Sequence, residues 1–73
     1  MKNKSNLEYL VWERANSWRV WICENSIRIS ERTFTLVDDM LQDAAKFHLN
    51  NPKAYIGIEL DSGSIINLVG QNQ

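Results

Sequence analysis

The chain has few of the residues from which metal and redox sites are built. Its 73 residues include one cysteine, Cys23, and one histidine, His48. Metal sites need several such ligands converging at suitable spacing, so we expect no metal. A lone cysteine cannot form an internal disulfide, and small secreted domains usually depend on several. The cysteine count therefore predicts a cytoplasmic protein, in which Cys23 is a small, half-buried hydrophobic residue.

Long hydrophobic runs are missing as well. No segment approaches the roughly 20 consecutive apolar residues that a membrane-spanning helix needs. Lys2 and Lys4 could begin a signal peptide, but Glu8 and Glu13 interrupt the apolar stretch that would have to follow. We therefore expect no membrane partner and no export. Three glycines and one proline are too few for a collagen-like or low-complexity chain, so the protein should fold as a globular domain.

Neither sign of charge is in large excess. Eight Lys or Arg and nine Asp or Glu give a net charge of −1. Such a chain lacks the positive field that drives non-specific nucleic-acid binding. Residues 1 to 32 carry a balance of +2 and residues 33 to 73 a balance of −3. We interpret this offset as an ordinary mixed surface, with a molecular dipole as the alternative.

The patterns of common active sites are also absent. The glycines are isolated, so there is no nucleotide-binding loop, and no nucleophile elbow occurs. Asp38, Asp39 and Asp43 could act as paired carboxylates in acid–base catalysis, but their position favours acids that stabilise the start of a helix. A chain of this length also has little room for a catalytic cleft. We predict no catalytic residue, no cofactor and no enzymatic activity.

What the chain does have is three tryptophans among charged residues between Leu7 and Ile29. Alternation of apolar and polar side chains predicts a three-stranded meander, whose first strand covers residues 7 to 14. The alternative for that segment is a helix, because Ser5 and Glu8 have capping-box spacing.

A three-residue loop at residues 15 to 17 and a two-residue turn at residues 24 and 25 give the most self-consistent strand registers. One face of the meander is then wholly apolar and should pack on the core; it carries Leu10, Trp12, Val20, Ile22, Ile27 and Ile29. The other face carries Tyr9, Val11, Glu13, Arg19, Trp21 and Arg28. In these registers Trp21 lies between Val11 and Arg28.

The segment that follows Thr35 predicts an amphipathic helix. Thr35 can cap it, with Asp38 three residues later. A broad apolar stripe should face the sheet; it consists of Leu36, Val37, Met40, Leu41, Ala44, Phe47 and His48. Asn50 and Asn51 should end the helix, because the residue before Pro52 is pushed out of the helical region.

A second hairpin, with strands over residues 54 to 60 and 64 to 69, completes the predicted fold. Its turn places Gly63 where a positive φ is typical. The register pairs Ile58 with Ile66 and Ile56 with Leu68. The outer face of this hairpin carries Tyr55, Glu59, Ile65 and Val69.

Together these elements predict one small α+β domain over residues 1 to 73, with flexible ends at residues 1 to 6 and 70 to 73. The order is βββαββ: a β-meander, one amphipathic helix and a C-terminal β-hairpin. The sheet is expected to be antiparallel, with the helix packed on one face.

The second face of the meander is the main functional clue. Trp, Tyr and Arg dominate binding hot spots, because they combine large rigid contact areas with directional polar groups. We predict a partner-binding site at Tyr9, Arg19, Trp21, Arg28 and Tyr55. The alternative is structural: Trp21 and Arg28 form a cation–π pair on a solvated sheet, or the first strand folds over the face.

Two functions are compatible with this surface. The first is a non-enzymatic protein-interaction module, an inhibitor or adaptor, whose partner is another protein or a second copy of the chain in a homodimer. The second is a nucleic-acid-binding regulator, in which aromatic rings stack on bases and arginines meet phosphates. Those residues would be Tyr9, Trp18, Trp21, Arg14, Arg19, Arg28 and Arg32.

Small size and eight asparagines give the chain a general character that resembles small proteins of phages and mobile elements. Some of those proteins block host machinery, as the anti-CRISPR proteins do. The resemblance implies an inhibitory role. It includes no shared motif, so no functional residue is carried over from it.

Overall fold

The computed structural model of the chain describes residues 6–69. They contain five strands and one helix: β1 (Leu7–Arg14), β2 (Ser17–Glu24), β3 (Ile27–Phe34), α1 (Val37–Asn50), β4 (Tyr55–Glu59) and β5 (Ile65–Val69). The protein is therefore a small α+β protein, as predicted. The predicted flexible ends lie outside the described residues, except for Asn6.

The strands form one mixed sheet in the order β3-β2-β1-β4-β5. Neighbouring strands are antiparallel except for β1 and β4, which are parallel. The prediction of an antiparallel sheet is therefore wrong for this ladder. Parallel neighbours need a long crossover connection, usually a helix, and α1 provides it. The chain leaves the sheet at the edge strand β3 and returns beside β1 after α1.

The central strand of the sheet is β1. It pairs with β2 over residues 7 to 14 and with β4 over residues 8 to 12. The predicted strand is confirmed, and the alternative of a helix is wrong for this segment. Pairing on both sides explains the outcome, because two neighbouring strands satisfy the backbone donors and acceptors that a helix would otherwise satisfy internally.

The turn between β1 and β2 is one residue shorter than predicted. Residues 15 and 16 form it, and Arg14 pairs with Ser17. Leu10 therefore lies opposite Trp21, where the predicted register has Val11. Because side chains alternate between the faces of a strand, a shift of one residue moves every side chain of β1 to the other face relative to β2.

The two faces of β1 are consequently exchanged. Tyr9 and Val11 are buried in the core beneath α1, whereas Leu10 and Trp12 share the opposite face with Trp21. The predictions that Tyr9 belongs to the exposed aromatic face and that Trp12 belongs to the core are wrong. Both registers place apolar residues opposite one another, so the alternation pattern by itself does not choose between them.

The turn into β3 is also displaced by one residue, to Asn25 and Ser26. Both have a positive φ, 54° and 70°, which is the conformation of two-residue hairpin turns that follow the twist of a sheet. A β-bulge then leaves Ile29 without a partner in the ladder. Ile27 and Ile29, which we predicted for the core, lie on this edge strand and are more than half exposed.

The core lies between α1 and one face of the sheet. Met40 and Ala44 are buried on α1, and the Phe47 ring lies 5.1 Å from the Tyr9 ring. The sheet contributes Tyr9, Val11, Val20, Ile22, Ile56 and Ile58. The buried stripe of α1 is narrower than predicted, because no second described helix covers its flanks. Three predicted members of the stripe are exposed: Leu36, Val37 and Leu41.

The helix begins one residue later than predicted and ends where predicted. Leu36 is the N-cap, without a side-chain cap hydrogen bond, so the prediction that Thr35 caps the helix is wrong. At the other end, α1 stops at Asn50. The backbone N–H of Asn51 donates to carbonyl oxygens of the last turn, and Pro52 follows, which confirms the predicted stop.

The second hairpin is close to the prediction. Gly63 has a φ of 93° in the turn, and Ile58 pairs with Ile66. A β-bulge follows Ile56, which therefore does not pair with Leu68 as predicted. The hairpin lies beside β1 and extends the sheet on the side opposite the meander.

Candidate functional site

The face of the sheet that is turned away from α1 is called the open face. Strand registers place on it Leu10, Trp12, Arg19, Trp21, Arg28, Glu31, Tyr55, Glu59 and Ile65. No described element packs over this face, since the described helix lies on the other. The open face is therefore where the structure leaves large aromatic side chains in partial contact with solvent.

Two tryptophans form the centre of the open face. Their rings lie 4.9 Å apart at 68°, an edge-to-face contact. The register explains the contact, because Trp21 is opposite Leu10 and its diagonal neighbour on β1 is Trp12. Such a pair contributes about 0.5–1.5 kcal/mol beyond the burial of its area. It also fixes the orientation of both rings.

A guanidinium lies over this centre. The Arg28 Cζ is 4.8 Å from the centroid of the Trp21 ring, and Arg28 Nη1 donates to Glu31 Oε1 at 3.3 Å. The β-bulge at Ile29 allows the contact, since it brings Arg28 and Glu31 to the same face. The cation–π pair that we gave as the structural alternative is therefore present. It holds the arginine head in place on the open face.

The indole N–H of Trp21 is buried without an acceptor among the described residues. A buried donor that lacks a partner costs about 1–3 kcal/mol in desolvation. The ring thus remains in its position because of its contacts with Trp12 and Arg28, and not because of a hydrogen bond.

Beside the tryptophan pair, the open face contains a small groove. Its volume is about 110 Å³, and its walls are Leu10, Val11, Trp12, Tyr55, Gly57, Glu59 and Ile65. The side chain of Tyr55 lies against Gly57: a Cβ on that glycine would lie 2.6 Å from the Tyr55 hydroxyl oxygen and 2.8 to 2.9 Å from two of its ring carbons. Because Gly57 has no side chain, the Tyr55 ring can lie directly over it.

The predicted site residues are only partly brought together. Trp21 and Arg28 are in contact, and Arg19 is exposed on the same face, opposite Trp12. Tyr55 lies on the open face too, across β1, where it lines the groove. Tyr9 is 0% exposed and lies on the core side of the sheet. Its prediction as an exposed binding residue is wrong, because the shorter turn reverses the faces of β1.

Leu10 and Trp12 are among the open-face residues that sequence reasoning missed, and Glu31 is another. A prediction with a two-residue turn at residues 15 and 16 would have placed Leu10 and Trp12 on this face. Such turns are the commonest hairpin connections. That register also sets Val11 opposite Val20, a pair of β-branched residues suited to a buried ladder.

On the other side of the sheet, Asp43 connects three elements. It accepts a hydrogen bond from the Tyr9 hydroxyl at 2.6 Å and one from Arg32 Nη1 at 2.6 Å, both on Oδ2. Burial of Tyr9, together with its hydrogen bond to the Asp43 carboxylate, raises the pKa of the phenol well above its usual range. Only Asp38 and Asp39 lie in the first turn of α1. Asp43 therefore ties α1 to β1 and β3.

The described residues contain neither a cluster of metal-ligating side chains nor a membrane-spanning helix. No group of three or more His, Cys, Asp or Glu side chains is placed there to hold a metal ion. Cys23 is buried and unpaired. Within residues 6–69, no helix combines the length and the apolar character needed to cross a membrane.

No family model, no curated protein and no solved structure matches the chain.

Two substitutions at Trp21 should separate its ring contacts from its buried N–H. Trp21→Phe keeps a ring beneath Arg28 and removes the unpaired donor, so the free energy of unfolding should change by less than about 1 kcal/mol. Trp21→Ala removes the contacts with Trp12 and Arg28, and we expect a loss of about 1–2 kcal/mol. Urea denaturation followed by circular dichroism measures both values. A loss above about 3 kcal/mol for Trp21→Ala is typical of core truncations and would contradict a surface role.

Proposed function

We propose that the chain is a non-enzymatic protein-interaction module, an inhibitor or adaptor, which binds a protein partner through the open face. The observation that carries this proposal is the cluster of Trp12, Trp21 and Arg28 on a sheet face that no described element covers. Trp and Arg are enriched among the residues that supply most of the binding energy of protein interfaces.

The layout of the open face supports the proposal. Leu10, Trp12 and Trp21 form an apolar centre, and charged side chains surround it on neighbouring strands. Protein interfaces have this arrangement, with an apolar core and a polar rim. Arg28 is already held by Trp21 and Glu31, so less side-chain freedom is lost when a partner binds.

A protein partner is favoured over nucleic acid because few of the groups proposed for nucleic-acid binding are available. Tyr9 is buried and Trp18 packs against the core, so neither presents a ring for stacking. Arg32 is engaged with the helix, and Arg14 donates to a backbone carbonyl. The nucleic-acid regulator therefore remains the alternative that the following experiment tests.

Affinity capture from a lysate of the source cell tests the proposal. Tagged wild-type protein, Trp21→Ala and the control Lys46→Ala, an exposed substitution on α1, would be compared with and without nuclease. We expect a nuclease-resistant protein that is recovered with wild type and with Lys46→Ala. Recovery with Trp21→Ala should fall at least about tenfold, because hot-spot truncations cost 2 kcal/mol or more.

Three results would count against a separate protein partner at this face. Recovery that is lost on nuclease treatment would favour the nucleic-acid regulator. Equal recovery with Trp21→Ala would exclude the open face as the binding surface. If solution mass shows a dimer and no other protein is captured, the partner is a second copy of the chain.

A further inference from the structure

On the open face, the guanidinium of Arg28 is bound by an aromatic ring and a carboxylate of the same chain. Arg28 lies with its Cζ 4.8 Å from the centroid of the Trp21 ring, and its Nη1 is 3.3 Å from the Glu31 carboxylate. An aromatic face and a carboxylate together satisfy the two preferences of a guanidinium, which stacks on rings and hydrogen-bonds to carboxylates.

The groove has the same two components, an aromatic ring and a carboxylate, and the described residues place no ion-paired cation at that carboxylate. Trp12 and Tyr55 line it, and Glu59 lies opposite Trp12 in the β1–β4 ladder and contributes to the wall. Glu59 forms no ion pair with a described Lys, Arg or His; the described pairs are Arg28–Glu31 and Arg32–Asp43. Among residues 6–69, the groove therefore presents a half-buried carboxylate next to aromatic rings, and no described positive charge is paired with it.

The size of the groove limits what can bind there. About 110 Å³ is well below the roughly 300–1,000 Å³ of pockets that hold small molecules and cofactors. Such a space suits one side chain of a partner and not a whole ligand. Apolar walls from Leu10, Trp12 and Ile65 suit an aliphatic stem, and Glu59 at the wall suits a cationic head.

We propose that the groove binds an arginine side chain presented by the protein partner, with its guanidinium against the rings of Trp12 and Tyr55 and hydrogen-bonded to the Glu59 carboxylate. The inference rests on the proposed function, since it names the chemistry of the partner of the open face. Arginine suits the site better than lysine, because its planar head stacks on rings and can bind a carboxylate through two donors.

Titration of ¹⁵N-labelled protein with N-acetyl-arginine amide tests the site directly. N-acetyl-citrulline amide is the matched probe, because it has the same shape without the charge. We expect saturable shifts of the Gly57 amide and the Trp12 indole N–H with the arginine probe, and about tenfold weaker binding of the citrulline probe. The spectrum of each variant reports its folding in the same sample.

Three variants locate the interaction. Glu59→Gln removes the charge and should weaken arginine binding about tenfold. Glu24→Gln removes an equal charge from the opposite face, at the end of β2, and should leave binding unchanged. Gly57→Ala keeps every charge, but its Cβ would come within 2.6 to 2.9 Å of the Tyr55 hydroxyl oxygen and two ring carbons and would displace that side chain, so binding should weaken as well.

Equal affinity for the two probes, or full affinity in Glu59→Gln, would overturn the arginine site. The proposed function fails separately, in the capture experiment. If Trp21→Ala loses the partner and Glu59→Gln retains it, the interaction module stands and the arginine site is wrong. If Trp21→Ala retains the partner, the open face itself is not the binding surface.

Discussion

Replacement of Asp43 by alanine is expected to lower the free energy of unfolding by about 2–4 kcal/mol. The substitution leaves the buried Tyr9 hydroxyl without its carboxylate acceptor and removes the anion that Arg32 contacts. Loss of one partner of a buried, charge-assisted hydrogen bond exposes the full desolvation cost of the other. Asp43 is also the link from α1 to two strands, so the packing of the helix should loosen. Urea denaturation measures the change.

The matched control for Asp43→Ala is Asp39→Ala. Asp39 is an exposed acid in the first turn of α1, where its interaction with the helix dipole contributes about 0.3–1 kcal/mol. Arg32→Gln should also cost little, about 0–1 kcal/mol, because the Arg32 side chain is 43% exposed. A loss at Asp43 no larger than that at Asp39 would contradict the structural role of the carboxylate.

A double-mutant cycle assigns the effect to the hydrogen bond. Tyr9→Phe removes the donor and keeps the ring against Phe47, so it should cost about 1–2 kcal/mol. The double variant Tyr9→Phe/Asp43→Ala should cost at least about 0.5 kcal/mol less than the sum of the single changes, because both remove the same contact. Strict additivity would show that the two residues do not interact.

Stability is expected to fall steeply as the pH rises above about 10. The raised pKa of Tyr9 has burial as its main cause, followed by the hydrogen bond and the charge of Asp43, while Arg32 opposes the shift. In the unfolded chain the phenol ionises near its usual value of about 10. The folded state therefore binds the phenolic proton more tightly than the unfolded chain does. This difference contributes its full stabilisation to the folded state at pH values below about 10.

Above that pH, the Tyr9 contribution should decrease by about 1.4 kcal/mol for each pH unit, until the pH reaches the pKa of the folded state. Urea denaturation at several values between pH of about 8 and about 12 measures the slope. Tyr9→Phe is the control: it should be less stable than wild type at neutral pH but lose less stability on the alkaline side. Identical slopes in the two proteins would contradict the buried, neutral phenol.

Element positions were largely predictable from sequence, because each depends on local chemistry. The end of α1 follows from Pro52, and the turn of the second hairpin from a glycine that tolerates a φ of 93°. Alternation identified β1 as a strand even though capping-box spacing allowed a helix. The start of α1 was not predictable in this way, since Leu36 caps it without a side-chain hydrogen bond.

The candidate site was only half predictable, because its residues come from strands whose relative register depends on one turn residue. Trp21 and Arg28 were expected to be close, and they are. Trp12 was assigned to the core and Tyr9 to the surface, and the structure exchanges them. Both faces of β1 carry apolar side chains, so burial alone gives little preference for either register.

Local periodicity and residue type are sufficient to predict one amphipathic helix and five short strands, and with them the α+β class. The tertiary structure alone decided that β4 returns parallel to β1 and that Trp12, Tyr55 and Glu59 meet in one groove. The contacts between β1 and β4 join residues more than 40 positions apart. Such pairings depend on how the helix crosses the sheet, which no local pattern encodes.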